Sequence, residues 1–280
     1  MKKCDIDSTI NFIRSVYKTD DICLHEPRFV GNEKKYLLET IDSTFVSSVG
    51  PFVNKFEEDI SKLTDTKRAV AVANGTCALQ ISLQLAGVKS DDEVLTQALT
   101  FVATANSISY LKATPIFIDV DLDTMGLSPK ALQEFLEQNV ELKDDGSYNK
   151  KTGKKISACM PMHTFGFMCR IDEIVEICNQ WKISVVEDAA EALGSKYKGK
   201  SSGSFGLLGA FSLNGNKIIT SGGGGAITTN NIAIGDEAKH LTTTAKVPHK
   251  WEYTHDKLGY NFRLPNLNAA LACAQLEHCL

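Results

Sequence analysis

Lys217 stands between "FSLNGN" and "IITSGGGGAI", a strand-like run that passes into four consecutive glycines, residues 222–225. A lysine amine in such a place is either a solvated loop charge or a sequestered nucleophile. Glycine within an element costs about 0.5–1 kcal/mol relative to alanine, so four together call for positive φ or a close backbone approach. Asp188 closes "VVED", an apolar run ending in an acidic pair. A carboxylate in such surroundings needs a cation or hydrogen bonds, and Asp188 could face a ligand N–H⁺ or cap a helix. "NGT" at residues 74–76 places backbone N–H groups at a helix N-terminus, where the dipole favours an anion such as phosphate. Thr76 also reads as an ordinary N-cap. Phe101, opening a helix, is either core or a flat platform for a planar ring. G-x-G-x-x-G does not occur, so that dinucleotide fingerprint does not apply.

The pattern around these residues gives them positions. "RAVAVA", "DEVLTQ", "TPIFIDV", "KISACMPMH", "ISVVEDAA", "GAFSLN" and "GAITTN" read as strands. Between them, "TCALQISLQLAG", "TFVATANSISYLKA", "SPKALQEFLEQN" and "RIDEIVEICNQWK" carry apolar residues at helical spacing. Ser128 suits an N-cap and Pro129 the first helical position. Such alternation predicts an α/β domain, a mostly parallel sheet with helices on both faces. Ligands bind such sheets beyond the carboxyl ends of the strands. Those ends carry residues 74–76, residues 97–101, His163, Asp188 and residues 214–217. A helical N-terminal region, broken at "LHEPRFVGNE" and "SSVGPF", precedes the unit; residues 142–155, "LKDDGSYNKKTGKK", read as an exposed hairpin or loop with solvated lysines.

The bulk composition narrows the classes. The 280 residues are 43% hydrophobic and 23% charged with a formal net charge of −4, an ordinary soluble globular composition. Slight acidity gives no support to a nucleic-acid partner, which calls for a clustered basic face. The start is charged where a leader needs an apolar core, and no run approaches about 18 apolar residues, so no membrane span is expected and the location expected is cytoplasmic. Eight scattered cysteines without a C-x-x-C pair read as free thiols in a reducing compartment, with no metal site.

Taken together, the strand ends describe one ligand. An anion site (Gly75, Thr76, Ser212), an aromatic platform (Phe101), a carboxylate (Asp188) and an amine (Lys217) match the needs of pyridoxal phosphate: a phosphate cradle, ring stacking, a pyridinium partner and a Schiff-base lysine. The ordered series "NGTCAL", "TFVATAN", "VVEDAAEALGS", "FSLNGNK", "GGGGAI" and "GYNFRLPNLNAALACAQLE" strongly resembles the sugar aminotransferases of the DegT/DnrJ/StrS type, which are fold-type-I pyridoxal-phosphate enzymes. Longer stretches, such as "PMHTFG" and "LTTTAKVPHKWEY", resemble the branch assigned to legionaminic-acid and related nucleotide-sugar pathways.

The resemblance implies roles residue by residue. Lys217 would carry the cofactor as a Schiff base, and Ser212 would bind its phosphate with the amides of Gly75 and Thr76. Phe101 and Ala190 would flank the ring, and Asp188 would hold the pyridine nitrogen. Asn261 would reach the phosphate of a neighbouring subunit in a homodimer with shared sites. Glu191 stands where many members carry Gln or His near the cofactor's phenolic oxygen; a carboxylate there either has a raised pKa or points elsewhere. His163 and Arg263 are substrate-side candidates, with a satisfied core histidine as the alternative for His163.

The implied architecture is an aspartate aminotransferase-like three-layer fold. Residues 1–62 form an N-terminal helical segment, residues 63–262 the cofactor-binding large domain, and residues 263–280 the start of a truncated C-terminal region. Relatives continue for roughly another hundred residues into a small α/β domain. The implied reaction moves an amino group from L-glutamate to the C4 ketone of a 4-keto-6-deoxy nucleotide sugar, UDP- or GDP-linked and acetamido-bearing. Two rivals stand beside it: a truncated non-catalytic binding or regulatory protein, and a same-fold sugar dehydratase. The dehydratases replace the lysine with histidine, so Lys217 argues against them.

Overall fold

The structure, a computed structural model, describes residues 3–279, and the side chains of residues 5–279. Met1, Lys2, the Cys4 thiol and Leu280, over which the expected N-terminal segment, cysteine reading and C-terminal segment extend, lie outside the described residues.

Three helices lead the chain: α1 (Lys3–Tyr17), α2 (Glu33–Asp42) and α3 (Pro51–Leu63). Strand and helix then alternate through β1 (Arg68–Val72), α4 (Gly75–Leu85), β2 (Glu93–Gln97), α5 (Val102–Tyr110), β3 (Thr114–Ile118) and α6 (Pro129–Asn139). A hairpin, β4 (Val140–Lys143) and β5 (Gly146–Asn149), precedes β6 (Lys155–Met160), α7 (Ile171–Gln180) and β7 (Ser184–Asp188). A small ribbon, β8 (Lys196–Tyr197) with β9 (Lys200–Ser201), leads to β10 (Leu208–Ser212), β11 (Gly225–Thr229), α8 (Ile232–Thr242) and α9 (Asn266–Leu276). The start of α6 follows from its sequence: the Ser128 hydroxyl accepts from Ala131 N–H at 3.3 Å, and Pro129 occupies the first turn.

The main sheet runs β1-β11-β10-β7-β6-β2-β3. From β10 to β3 every neighbouring pair is parallel, whereas β11 pairs antiparallel with both β1 and β10. The connection from β10 to β11 contains no helix, so the chain can only turn back beside itself. Its turn, residues 213–224, consequently hangs over the edge where the parallel strands end. The segment expected as an exposed hairpin or loop is a hairpin, but Gly146, Ser147 and Asn149 of β5 are buried and β5 joins β6.

Alternate residues of each strand face opposite layers, as a pleated sheet requires. Val70, Val72, Val94, Val186, Ala210 and Ile227 pack under α4, α5 and α8. On the other face, Ala69, Ala71, Phe211 and Ala226 meet Val53, Phe56 and Ile60 of α3 and Ala269, Ala272 and Cys273 of α9. Leu95, Cys159 and Val185 meet α6 and α7. The result is a three-layer α/β sandwich whose carboxyl strand ends gather on one edge. Among the described residues no helix is long and apolar enough to cross a membrane, and no cluster suits a metal ion.

Candidate active site

A cavity of about 530 Å³ opens at this edge, where β1, β2, β6, β7 and β10 end and β11 begins. Its wall includes Gly75, Thr76, Phe101, Asp188, Ala190, Glu191, Ser212 and Lys217, residues as far apart in sequence as the sheet order allows.

Lys217 is delivered by the turn between β10 and β11. That turn is closed by Leu213 N–H to Gly224 O at 2.9 Å and by Ser221 N–H to Leu213 O at 3.1 Å. Asn268 of α9 donates to Ser221 O at 2.7 Å, bracing the turn from the opposite layer. Gly224 has φ +140°, a region closed to most side chains, and an added Cβ would come within 2.9 Å of Ser221 Oγ. The run of glycines is thus a tight return held beside the lysine. Lys217 Nζ donates to Glu191 Oε1 at 2.9 Å. Glu191 therefore points into the cavity, and the amine answers its charge.

Asp188 is the last residue of β7 and is buried. Thr104 Oγ1 donates to its Oδ2 at 2.7 Å, and Ala190 N–H to its Oδ1 at 3.2 Å. Thr100 Oγ1 lies 2.6 Å from Thr104 Oγ1 and extends the chain towards the cavity wall. Burial pushes the Asp188 carboxyl above its ordinary range, while the Thr104 and Ala190 hydrogen bonds and the charges of His163 and Lys217 pull it back.

The opposite requirement, room for an anion, is met at the start of α4. Asn74, rather than Thr76, is the cap: its side chain accepts from Cys77 N–H at 2.9 Å. The first N–H groups of a helix have no intrahelical acceptor, which leaves those of Gly75 and Thr76 at the cavity. The hydroxyls of Thr76 and Ser212 make no hydrogen bond among the described residues. A Cβ added at Gly75 would come within 2.8 Å of Ser212 Cβ, so the backbone there must be bare. Phe101, at the N-cap of α5, is exposed and presents its ring at the cavity.

Three expected residues lie elsewhere. His163 is buried and lines no part of the cavity. Its Nε2 is 3.1 Å from Glu187 Oε2 and its Nδ1 3.6 Å from Cys169 Sγ. Glu187 also accepts from the N–H groups of Gly203, Phe205 and Gly206 at 2.9, 2.7 and 2.8 Å. Burial opposes an imidazolium, but Cys169 and Glu187 more than offset it and push the His163 pKa up to about 10. The substrate-side expectation for His163 gives way to a buried ion pair behind the site, because its ring points into the core and not outward. Asn261 is exposed and accepts from Arg263 Nε at 2.9 Å; both lie outside the cavity wall, on a segment that bridges Thr243 and Val72.

Sequence reasoning passed over Thr104, Glu187 and Phe165. Thr104 sits one helical turn after Phe101, a spacing that places it on the same face, but nothing in the local sequence marks its partner. Phe165 lines the cavity in the turn after β6 with φ 53° and ψ 25°. That left-handed conformation costs a non-glycine residue about 1–2 kcal/mol.

With this geometry established, comparison with known proteins is direct. The chain matches the DegT/DnrJ/EryC1/StrS aminotransferase family over residues 27–279. EpsN of Bacillus subtilis (strain 168), which carries the name of a pyridoxal phosphate-dependent aminotransferase, is 42% identical over 256 residues, covering 91% of this chain and 63% of EpsN. GDP-perosamine synthase of Escherichia coli O157:H7 is 38% identical, over 91% of this chain and 66% of its own length. Among solved structures, Helicobacter pylori PseC, an aminotransferase involved in the biosynthesis of pseudoaminic acid, superposes with a TM-score of 0.82 at 25% identity, over 93% of this chain and 66% of its own. The chain spans 63–66% of the length of these proteins. An α/β sandwich with a lysine-bearing turn over its carboxyl edge, matched along nearly its whole length, belongs to the DegT/DnrJ/EryC1/StrS aminotransferase family.

Proposed function

We propose that this chain forms the cofactor-binding part of a pyridoxal phosphate-dependent aminotransferase that converts a nucleotide-linked keto sugar to an amino sugar. The observation that carries the reading is the meeting, in one cavity, of the buried Asp188 carboxylate, the Lys217 amine and an anion cradle whose hydroxyls have no hydrogen-bond partner among the described residues. The fit is chemical as well as spatial. Pyridoxal phosphate carries a phosphate, a flat ring and a ring nitrogen that becomes cationic, and each finds its complement here.

Bound there, the cofactor supplies an electron sink for exchanging an amino group between two carbons. Ser212 Oγ and the N–H groups of Gly75 and Thr76 would hold its phosphate, with Phe101 and Ala190 lining the cavity beside its ring. Asp188, which accepts from Thr104 Oγ1 and the Ala190 N–H, would face the ring nitrogen, and a cationic ring there would supply its counter-charge. Lys217 would hold the cofactor and, once its amine is free, would take up and return the proton that each half of the exchange requires, while Glu191 would orient that amine. The donor is L-glutamate, leaving as 2-oxoglutarate. The acceptor is the C4 ketone of a UDP- or GDP-linked 4-keto-6-deoxy sugar that bears an acetamido group. The names of GDP-perosamine synthase and PseC support an amino-sugar product, and the legionaminic-type stretches favour a bacterial surface sugar. Two copies form a homodimer in which Asn261 of one reaches the phosphate site of the other, and the enzyme works in the cytoplasm.

The test is to load the purified protein with pyridoxal phosphate, reduce with borohydride and map the labelled peptide. Glutamate-dependent amination of a 4-keto-6-deoxy nucleotide sugar is then assayed. A label on Lys217 and a glutamate-dependent amino sugar are the expected results. Cofactor uptake without turnover would favour a binding or regulatory protein, and a label elsewhere would remove the lysine assignment.

A further inference from the structure

Phe165 combines features that packing alone does not reward. It is 77% exposed, so its ring buries little surface. Its backbone is left-handed, an outlier for a bulky residue, and Gly166 follows at φ +84°. Such strain persists only where the surroundings over-determine it.

The surroundings do so from both sides. Thr164 Oγ1 donates to Met125 O at 2.8 Å and accepts from Gln97 Nε2 at 3.1 Å. Ser195 Oγ donates to Gly166 O at 2.7 Å, and Phe167 N–H to Thr164 O at 3.0 Å. Gly166 lies so close to the Glu191 carbonyl that an added Cβ would stand 2.6 Å from it. The turn is thus clamped against the residue that pairs with Lys217, and Phe165 is held out on the wall of the same cavity. Phe167, also exposed, has an ordinary φ of −79° and does not line the cavity.

We propose that Phe165 is a specificity-determining residue whose ring stacks on the apolar C–H face of the acceptor sugar. The assignment rests on the aminotransferase reading above. An exposed phenyl offers a π face and no hydrogen bond, which suits a deoxyhexose ring and not the doubly acidic amino donor. The strain places the ring at the cavity; relaxing it would let the ring fall away.

The test uses Phe165→Gly, Phe165→Ala and Phe165→Tyr beside the parent protein. Thermal unfolding without ligand separates function from structure. Glycine accepts positive φ, so F165G should melt at or above the parent temperature, and a clear fall would assign the ring to structure and overturn the proposal. In the pyridoxal phosphate-loaded protein, which cannot aminate the ketone, titration calorimetry with UDP-4-keto-6-deoxy-N-acetylglucosamine and its GDP counterpart should show about a tenfold loss of affinity in F165G and F165A. F165Y should restore it, and borohydride labelling of Lys217 by pyridoxal phosphate should be the same in all four proteins. Equal sugar affinity across the variants overturns the proposal. So does a parent protein that takes up the cofactor and binds neither sugar, an outcome that leaves the cofactor assignment standing. Failure of the parent to label Lys217 removes the aminotransferase reading and this proposal with it. Dissociation of the assembly in F165A, seen by sedimentation with sugar affinity per site unchanged, places the ring at a subunit interface and also overturns it.

Discussion

Lys217 Nζ lies 2.9 Å from Glu191 Oε1, with the lysine side chain 12% exposed and the glutamate 33%. The two come from different strand ends, the turn after β10 and the segment after β7. The pair fixes the amine at the mouth of the turn without removing it from water altogether. The carboxylate thus fixes where the amine stands in the cavity.

Replacing Glu191 by Gln keeps a hydrogen-bond acceptor and removes the charge. The amine is then less firmly placed, so trapping of pyridoxal phosphate on Lys217 by borohydride near neutral pH should slow by roughly two- to fivefold, the scale of a partly exposed ion pair. The initial rate of cofactor incorporation measures this. An unchanged rate would mean that Glu191 does not position the amine for capture.

Asp188→Asn should separate stability from cofactor binding. Burial raises the Asp188 pKa in the folded protein above the ordinary 3.8, so the folded state binds more protons than the unfolded state just above that value. Its contribution is therefore present below pH 3.8 and is lost as pH rises through the raised folded value. Near pH 7 the cofactor-free D188N protein should melt no lower than the parent, while its affinity for pyridoxal phosphate falls. Thermal scans at several pH values, with and without the cofactor, read both effects.

His163 titrates with the opposite chemistry and the same sign. Its folded pKa of about 10 lies above the ordinary 6.5, so the protonated ring stabilises fully below pH 6.5 and that stabilisation disappears as pH rises through about 10. Denaturant midpoints of the parent should fall between pH 7 and pH 10 by more than those of His163→Gln. At pH 7, His163→Ala should cost about 3–5 kcal/mol, the scale for removing one partner of a buried pair.

Ser212→Ala should leave stability unchanged, because the hydroxyl has no hydrogen-bond partner among the described residues to lose. It should weaken pyridoxal phosphate binding by about tenfold or more, the worth of one hydrogen bond to a charged group. Inorganic phosphate should correspondingly compete less well in the variant. Equilibrium dialysis of the cofactor with and without phosphate gives both numbers.

Much of the architecture was readable from local pattern. Alternating periods placed the strands and helices, Ser128 and Pro129 marked the start of α6, and the strand ends collected Asp188, Ser212 and Lys217 at one edge. The reversed direction of β11 was implicit in the helix-free connection before it. Other features lay beyond local pattern. Thr104 and Asp188 are separated by 84 residues, and their 2.7 Å hydrogen bond exists because β2 and β7 flank β6. His163 looked equally suited to substrate or core, since a side chain just past a strand end can face either way. The close approach of Gly166 to the Glu191 carbonyl, beside the left-handed Phe165, has no local signature at all.

The amino-acid sequence by itself determined the chemical inventory and the order in which it reaches the sheet edge, because periodicity and capping act over a few residues. Only the tertiary structure decided which groups touch. It paired Lys217 with Glu191, withdrew His163 to Glu187 and held Phe165 at the cavity. Those choices depend on strand order and layer packing, which bring distant residues within hydrogen-bond reach.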